Sequence, residues 1–159
     1  MTVEAAEFRR VLGHWATGVS IVAAHPPDGQ PSGFTANAFC SVSLVPPLVL
    51  VCVAKDADTH NCIADAGAFA VSVLASDQER LARRFAACES MEKFQGVAHH
   101  AEQTGAPVLD DAIAWVDCRT WATHDAGDHT VYIGQVVAAG AREHSPLLYY
   151  RGGYGRFAP

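Results

Sequence analysis

Short runs of apolar and β-branched residues recur along the chain, separated by glycine- and proline-containing turns. They predict strands at 19–24, 33–43, 48–53, 68–74, 114–123, 130–139 and 146–151. Helical patterns are confined to three short segments, at 2–12, at 59–66 and after the capping-box motif at 76–79. Because the strands do not alternate with long helices, a doubly wound parallel sheet is disfavoured. The sequence predicts a mainly β fold, a β-barrel with peripheral helices.

The length of 159 residues fits a single domain over 1–159, and the charge limits its partners. A formal net charge of −6 argues against nucleic-acid binding, which needs a basic surface to displace phosphate counterions. The longest apolar stretch, 44–54, is about half a membrane span and contains two prolines. The N-terminal residues include acidic side chains and no apolar signal-peptide core. We therefore expect a cytoplasmic protein without a membrane segment.

Several common catalytic and metal-binding patterns are absent from the sequence. The five cysteines form no C-x-x-C pair, and we interpret them as reduced, mostly buried thiols. The histidines and aspartates of the segment 124–129 have spacings that fit no closed zinc site, so no metal is expected. There is no G-x-G-x-x-G after a strand, no G-x-S-x-G and no H-E-x-x-H, which removes the usual support for Rossmann, hydrolase and metalloprotease interpretations.

The segment 33–43 (GFTANAFCSVS) is the most unusual part of the chain. A strand so rich in Ala, Ser, Thr and Asn buries little apolar area, but it leaves backbone amides and short hydroxyls accessible. A planar heteroaromatic ring edged with carbonyls and nitrogens would suit such a surface. An edge strand with a polar outer face is the alternative.

Two further segments carry groups that could take part in chemistry. Lys55 to Thr59 precedes a short helix, and its free N–H groups, hydroxyl and lysine could hold a phosphate. The carboxylates of Asp56 and Asp58 oppose this, and a plain capped helix is the alternative. His129 follows Gly127 and Asp128 at the start of a strand, where a hydrogen-bond or proton donor is often placed. A solvated loop histidine is the alternative.

These segments, in this order, resemble the short-chain flavin reductases that supply reduced flavin to two-component monooxygenases. The resemblance covers nearly the whole chain, and its most specific part is the block TANAF-x-SVS-x-x-PP at 35–47 together with the later GDH at 127–129. It also includes the segments 16–19 (ATGV), 69–74, 84–86, 93–94, 133–136 and 146–150.

The resemblance implies an FMN-binding split β-barrel, usually a homodimer. It implies that the flavin is bound by Thr35, Ala36, Asn37, Ala38, Ser41, Val42, Asp56, Ala57, Asp58 and Thr59. It also implies that His129 meets the nicotinamide and that the nicotinamide pocket is completed by Tyr150, Arg151, Gly152 and Tyr154. The acidic Asp56 and Asp58 depart from what a flavin phosphate would prefer.

The function implied is that of an NAD(P)H:flavin oxidoreductase, using FMN or FAD and NADH or NADPH, whose reduced flavin serves a separate oxygenase. Flavin and nicotinamide carry the hydride chemistry themselves, so the protein's task is to hold the nicotinamide C4 about 3 to 3.5 Å from the flavin N5. His129 would act in catalysis by orienting the carboxamide or donating a hydrogen bond. The alternatives are a flavin-binding electron carrier of the same fold and a small β-barrel that binds an apolar ligand.

Overall fold

The computed structural model describes residues 2–87 and 90–158, the side chains of residues 90 and 91 excepted. Within these residues the chain forms three helices of eight or nine residues, one helical turn and twelve strands. The helices are α1 Ala5–Leu12, α2 Asp58–Ala66, α3 Glu79–Ala87 and the turn α4 Ser90–Lys93. The strands are β1 Thr17–Gly18, β2 Ser20–Ala24, β3 Ser32–Ala36, β4 Phe39–Leu44, β5 Pro47–Ala54, β6 Ala68–Val73, β7 His99–Ala101, β8 Pro107–Leu109, β9 Ala114–Ala126, β10 His129–Ala141, β11 Leu147–Tyr150 and β12 Gly153–Arg156.

The main sheet has seven antiparallel strands in the order β3-β2-β6-β9-β10-β5-β4. Its edge strands β3 and β4 are joined by only two residues, Asn37 and Ala38. Seven strands laid flat would hold their edges about 29 Å apart, whereas this link spans at most about 11 Å. The sheet therefore curls until its two edges approach each other, although β3 and β4 do not pair and the sheet stays open there.

The prediction of a mainly β fold with peripheral helices is confirmed. The predicted continuous strand at 33–43 is wrong in one respect, because the chain leaves the sheet at Asn37 and Ala38 and divides it into β3 and β4. The histidine- and aspartate-containing segment 124–129 was predicted as a loop, but β9 and β10 continue through it to a two-residue turn. The sequence pattern also missed β1, β7, β8 and β12.

Three groups of buried side chains hold the curled sheet together, and the third is a small one around Val108 of β8. Val51 and Val53 of β5 pack with Phe69 and Val71 of β6 in the largest group. The second group lies under α3, where Phe85 packs among apolar residues of β2 and β11. Cys88, which the helical pattern placed on this face of α3, lies outside the described residues.

The helices lie around the sheet and are short. α2 ends at Gly67, which adopts the left-handed φ of 61° expected after a helix. α1 buries none of its residues, although Phe8, Val11 and Leu12 give it an apolar stripe. None of the helices in the described ranges has the length and apolar character needed to cross a bilayer.

Gly134, on β10 between β9 and β5, has the closest neighbours of the glycines in the described residues. A Cβ at this position would lie 2.6 Å from Cζ of Phe69 and 2.8 Å from Cβ of Cys118. Both neighbours are fully buried, so neither has open space into which to move.

We predict that Gly134→Ala lowers the free energy of unfolding by about 1–3 kcal/mol, because the added methyl overpacks the core. Urea denaturation followed by circular dichroism measures this. Gly155→Ala is the matched control, since Gly155 is exposed and a Cβ there would have no atom within 4 Å. Equal midpoints for the two variants would contradict the packing argument.

Candidate functional site

A pocket of about 200 Å³ opens where the chain leaves β3. It is lined by Val19, Thr35, Ala36, Asn37, Ala86, Tyr149 and Tyr154. These residues come from β3 and the link that follows it, from α3, and from the small sheet β1-β11-β12. The pocket therefore depends on the curl that brings β3 next to segments distant in sequence.

Two tyrosines form the aromatic wall of the pocket. Tyr149 and Tyr154 are direct cross-strand partners in β11 and β12, with ring centroids 5.3 Å apart and planes at 63°. The Arg83 guanidinium lies 4.9 Å from the centroid of the Tyr154 ring. Burial raises the pKa of Tyr154, so its phenol stays protonated at neutral pH and is a hydrogen-bond donor.

The small residues of β3 form the opposite wall. The hydroxyl of Thr35 donates to the carbonyl of Ala82 at 2.5 Å, which joins β3 to α3. The carbonyl of the buried Ala36 accepts a hydrogen bond from the Ser20 hydroxyl at 3.1 Å. Asn37 and Ala38 are exposed. Thr35, Ala36 and Asn37 line the pocket on this wall. Of these, Asn37 therefore has the polar side chain that can bind the edge of a polar ligand.

Thr17 is a candidate that the sequence pattern did not single out. Together with Asn37 it lines a cavity of about 70 Å³ beside the pocket. Its Oγ1 is buried and has no hydrogen-bond partner among the described residues. Because a buried hydroxyl without a partner is costly, this atom fits a polar atom of a bound ligand. The threonine stands in the ATGV segment, to which the sequence pattern assigned no role.

His129 lies in a second place, at the first position of β10. It pairs with Ala54 of β5 on one side and Ala126 of β9 on the other. Its Nδ1 lies 2.7 Å from a carboxylate oxygen of Asp128, which leaves Nε2 as the ring nitrogen available to a ligand. The hydrogen bond from His129 lowers the pKa of the Asp128 carboxyl.

The predicted phosphate turn is next to His129, but its polar side chains have other partners. The hydroxyl of the buried Thr59 pairs with that of Ser32 at 2.8 Å. Lys55 Nζ donates to the carbonyl of Gly127 at 2.6 Å and pairs with the carboxylate of Asp125. Ala57 caps α2 without a side-chain hydrogen bond, and Asp58 is in the first turn. The backbone N–H groups at the start of α2 are therefore the groups that could hold a phosphate.

The remaining predicted residues lie outside the pocket lining. Ser41 and Val42 are exposed at a bulge in the pairing of β4 with β5. Tyr150 contacts the His14 ring, with centroids 6.2 Å apart. Arg151 and Gly152 form the β11–β12 turn with φ of 50° and 82°, and the Arg151 N–H donates to the carbonyl of Gly13. Of the predicted nicotinamide group, Tyr154 alone lines the pocket.

Neighbouring strands connect the pocket to His129. The carbonyl of Ala38 accepts a hydrogen bond from the Cys52 N–H at 3.1 Å, and Cys52 pairs with Val131 of β10. His129 is two residues before Val131, which puts it about 12 Å from Ala38 along the sheet. The described residues contain no group of three or more His, Cys, Asp or Glu side chains placed to hold a metal ion.

Comparison with known proteins gives one consistent result. The family model described as flavin reductase like domain matches residues 12–158. The FMN reductase (NADH) SmoA of Agrobacterium fabrum is 42% identical over 151 residues, covering 95% of this chain and 85% of the relative. The reductase component of a 4-nitrophenol 4-monooxygenase/4-nitrocatechol 2-monooxygenase from Rhodococcus opacus is 43% identical over 158 residues, with 99% and 83% coverage.

Among solved structures, an NADH:FAD oxidoreductase of Streptomyces globisporus, in complex with NAD and FAD fragments, is similar over the whole chain. Its TM-score is 0.91 at 40% sequence identity, and the match covers 100% of this chain and 98% of that one. The likeness therefore includes the backbone course as well as the sequence.

We predict that Thr35→Val lowers the free energy of unfolding by about 1 kcal/mol, because it removes the hydrogen bond to α3 while keeping the side-chain shape. Urea denaturation measures the change. Thr123→Val, at an exposed position of β9, is the matched control and should have less effect. If the two variants are equally stable, the bond between Thr35 and Ala82 does not hold α3 in place.

Proposed function

This chain belongs to the flavin reductase-like domain family, and we propose that it transfers a hydride from NADH to FMN or FAD. The observation that carries the proposal is identity above 40%, over nearly the whole chain, to relatives named as NADH-dependent flavin reductases. The names of the relatives include both FMN and FAD, so both are candidate acceptors.

The residues of the pocket fit a flavin ring. The pocket has small residues on one wall and two tyrosines on the other, a combination that suits a flat aromatic ring. The exposed amide of Asn37 and the unpartnered hydroxyl of Thr17 offer polar atoms for the ring edge. A bound flavin supplies the hydride acceptor, so the chain's own work is binding and orientation. We assign ring binding to Thr35 through Ala38, with Thr17, and place Ser41 and Val42 nearby.

A flavin phosphate would rest on the turn from Asp56 to Thr59, at the N–H groups of Asp56, Asp58 and Thr59. The Ala57 N–H already donates to the carbonyl of Ala54 at 3.1 Å. Lys55 and Thr59 already have partners within the protein, and Asp56 and Asp58 repel an anion. A phosphate site without a free cation binds weakly, which suits a flavin that leaves after each turnover. This supports flavin acting as an exchanging substrate rather than a permanently bound group.

His129 is the residue that we assign to the nicotinamide. Its Nδ1 is held by Asp128, which fixes the ring orientation and leaves Nε2 to bind the carboxamide. Tyr154, with Tyr150, Arg151 and Gly152 of the adjoining turn, completes the proposed nicotinamide site. The hydride moves between the two cofactors directly, so His129 orients the donor and accepts no proton during the transfer.

We propose that the curled sheet is a split β-barrel and that two copies associate. Three large apolar side chains have the greatest exposure among the described residues: Leu44 and Val45 in the β4–β5 hairpin are each 91% exposed, and Trp15 after α1 is 75% exposed. Exposure of this extent is characteristic of an interaction surface. A second copy would also add walls to a pocket that is open in one chain.

The reduced flavin would serve a separate oxygenase. Several relatives are named as reductase components or subunits of flavin-dependent monooxygenases. A weakly held flavin phosphate allows the reduced product to leave, which is the property that such a supply requires.

The reductase activity is tested by mixing the protein with NADH and FMN or FAD and following NADH absorbance. We expect oxidation well above the flavin-free rate, and its absence with both flavins would overturn the proposal.

In His129→Ala the KM for NADH should rise about tenfold, because one hydrogen bond to the carboxamide is lost. The KM for flavin should change less. His124→Ala, at an exposed position of the same hairpin, is the matched control.

Association of two copies is tested by light scattering of the purified protein. We expect the mass of a dimer for the wild type. Leu44→Lys should shift the population towards monomer, because burying an unpaired ammonium is costly. Ala101→Lys, at an exposed position of β7, should leave the mass unchanged. A monomeric wild type would contradict the proposal.

A further inference from the structure

Lys55 joins the loop before α2 to the turn of the β9–β10 hairpin through three contacts. Its backbone N–H donates to the carbonyl of Asp128 at 3.0 Å. Its ammonium donates to the carbonyl of Gly127 at 2.6 Å and forms an ion pair with the carboxylate of Asp125. The residues joined are about 70 positions apart in sequence, so these contacts are tertiary. We call Lys55 and these three contacts the hairpin brace.

The end of this hairpin has little other support. β6 pairs with β9 only as far as Arg119, and β5 pairs with β10 only as far as the Ala54–His129 pair. Residues 123–128 are all exposed. Beyond the end of β5, and within the described residues, the turn contacts the rest of the protein through the hairpin brace.

The turn that the brace holds also sets the position of His129. Gly127 and Asp128 form a two-residue turn between the paired residues Ala126 and His129, with φ of Gly127 at 69°. Lys55 holds the carbonyls of both turn residues. Asp128, in turn, holds Nδ1 of His129. The backbone of His129 is held by its pairing with Ala54 of β5, so a shift of the turn would move the Asp128 carboxylate and with it the orientation of the His129 imidazole.

We propose that Lys55 is a positioning residue for hydride transfer, which holds His129 in place through the hairpin brace and does not bind the flavin phosphate. This inference rests on the proposed function and deepens it. Two of the three ammonium protons face Gly127 and Asp125. Turning the ammonium towards a phosphate would break both contacts and release the turn that carries His129.

The test uses Lys55→Met, which keeps the side-chain stem and the backbone N–H but removes the ammonium. We expect the KM for NADH to rise about five- to tenfold, since a charge-assisted hydrogen bond and an ion pair are lost. The KM for flavin and kcat at saturating NADH should stay near their wild-type values. Lys55→Arg, which keeps the charge and the donors, should restore the KM for NADH.

A second measurement is independent of activity. Amide hydrogen exchange in residues 123–130 should become faster in Lys55→Met without flavin or NADH present, while exchange in β2 and β6 should be unchanged. Asp125→Asn, which removes the ion pair but leaves Lys55 intact, should change exchange and the KM for NADH in the same direction by a smaller factor. Arg119→Met, at an exposed position of β9, is the matched control and should change neither quantity.

Each of the following outcomes would overturn the inference. A rise in the KM for flavin with an unchanged KM for NADH would make Lys55 a phosphate ligand. A lower unfolding midpoint with unchanged kinetics and unchanged hairpin exchange would make its role purely structural. Failure of the proposed function is distinguishable, because the wild type would then not oxidise NADH with any flavin. If the positioning role fails, the wild type is active and Lys55→Met has the same KM for NADH and the same hairpin exchange.

Discussion

Asn37 and Ala38 join the two edge strands of a seven-stranded sheet, and this covalent link requires the sheet to curl. The curl brings β3 beside α3 and the small sheet β1-β11-β12, which together enclose the pocket. Backbone hydrogen bonds join β4, β5 and β10 side by side from Ala38 to His129. The pocket and the histidine thus belong to one frame of paired strands, the kind of support that a precise site needs.

The two parts of the site differ in chemistry. Among the described residues, the pocket lining contains tyrosines, small residues and one amide, with no charged side chain. The charged groups are concentrated at the hairpin end, where Lys55, Asp125 and Asp128 pair with one another or with His129. Because the single positive charge of Lys55 faces two aspartates, no excess positive charge is left there to attract an anion. The proposed function assigns the binding of a flat ring to the pocket and the orientation of a second molecule to the one imidazole.

The mainly β fold and the pocket wall at Thr35 to Asn37 could be predicted because strand patterning and small-residue composition are local properties of the sequence. The break at Asn37 and Ala38 could not, since the alternation of small residues continues through it. Tyr149 was missed as a pocket residue because its place depends on pairing in a small sheet built from distant segments. The contacts of Lys55 with the hairpin were missed for the same reason. A basic residue before a helix predicts an anion-binding site until its tertiary partners are known.

The two-residue link limits how far apart the two edges of the sheet can lie. The separation of the sheet edges is set by the curvature accumulated over all seven strands, together with a fixed length of backbone. Side-chain replacement along β3 can change the polarity of the pocket, but it cannot lengthen the covalent span between β3 and β4. If the pocket holds the flat ring that the proposed function assigns to it, selection for that shape is a property of the whole sheet and can persist while the residues that line the pocket diverge.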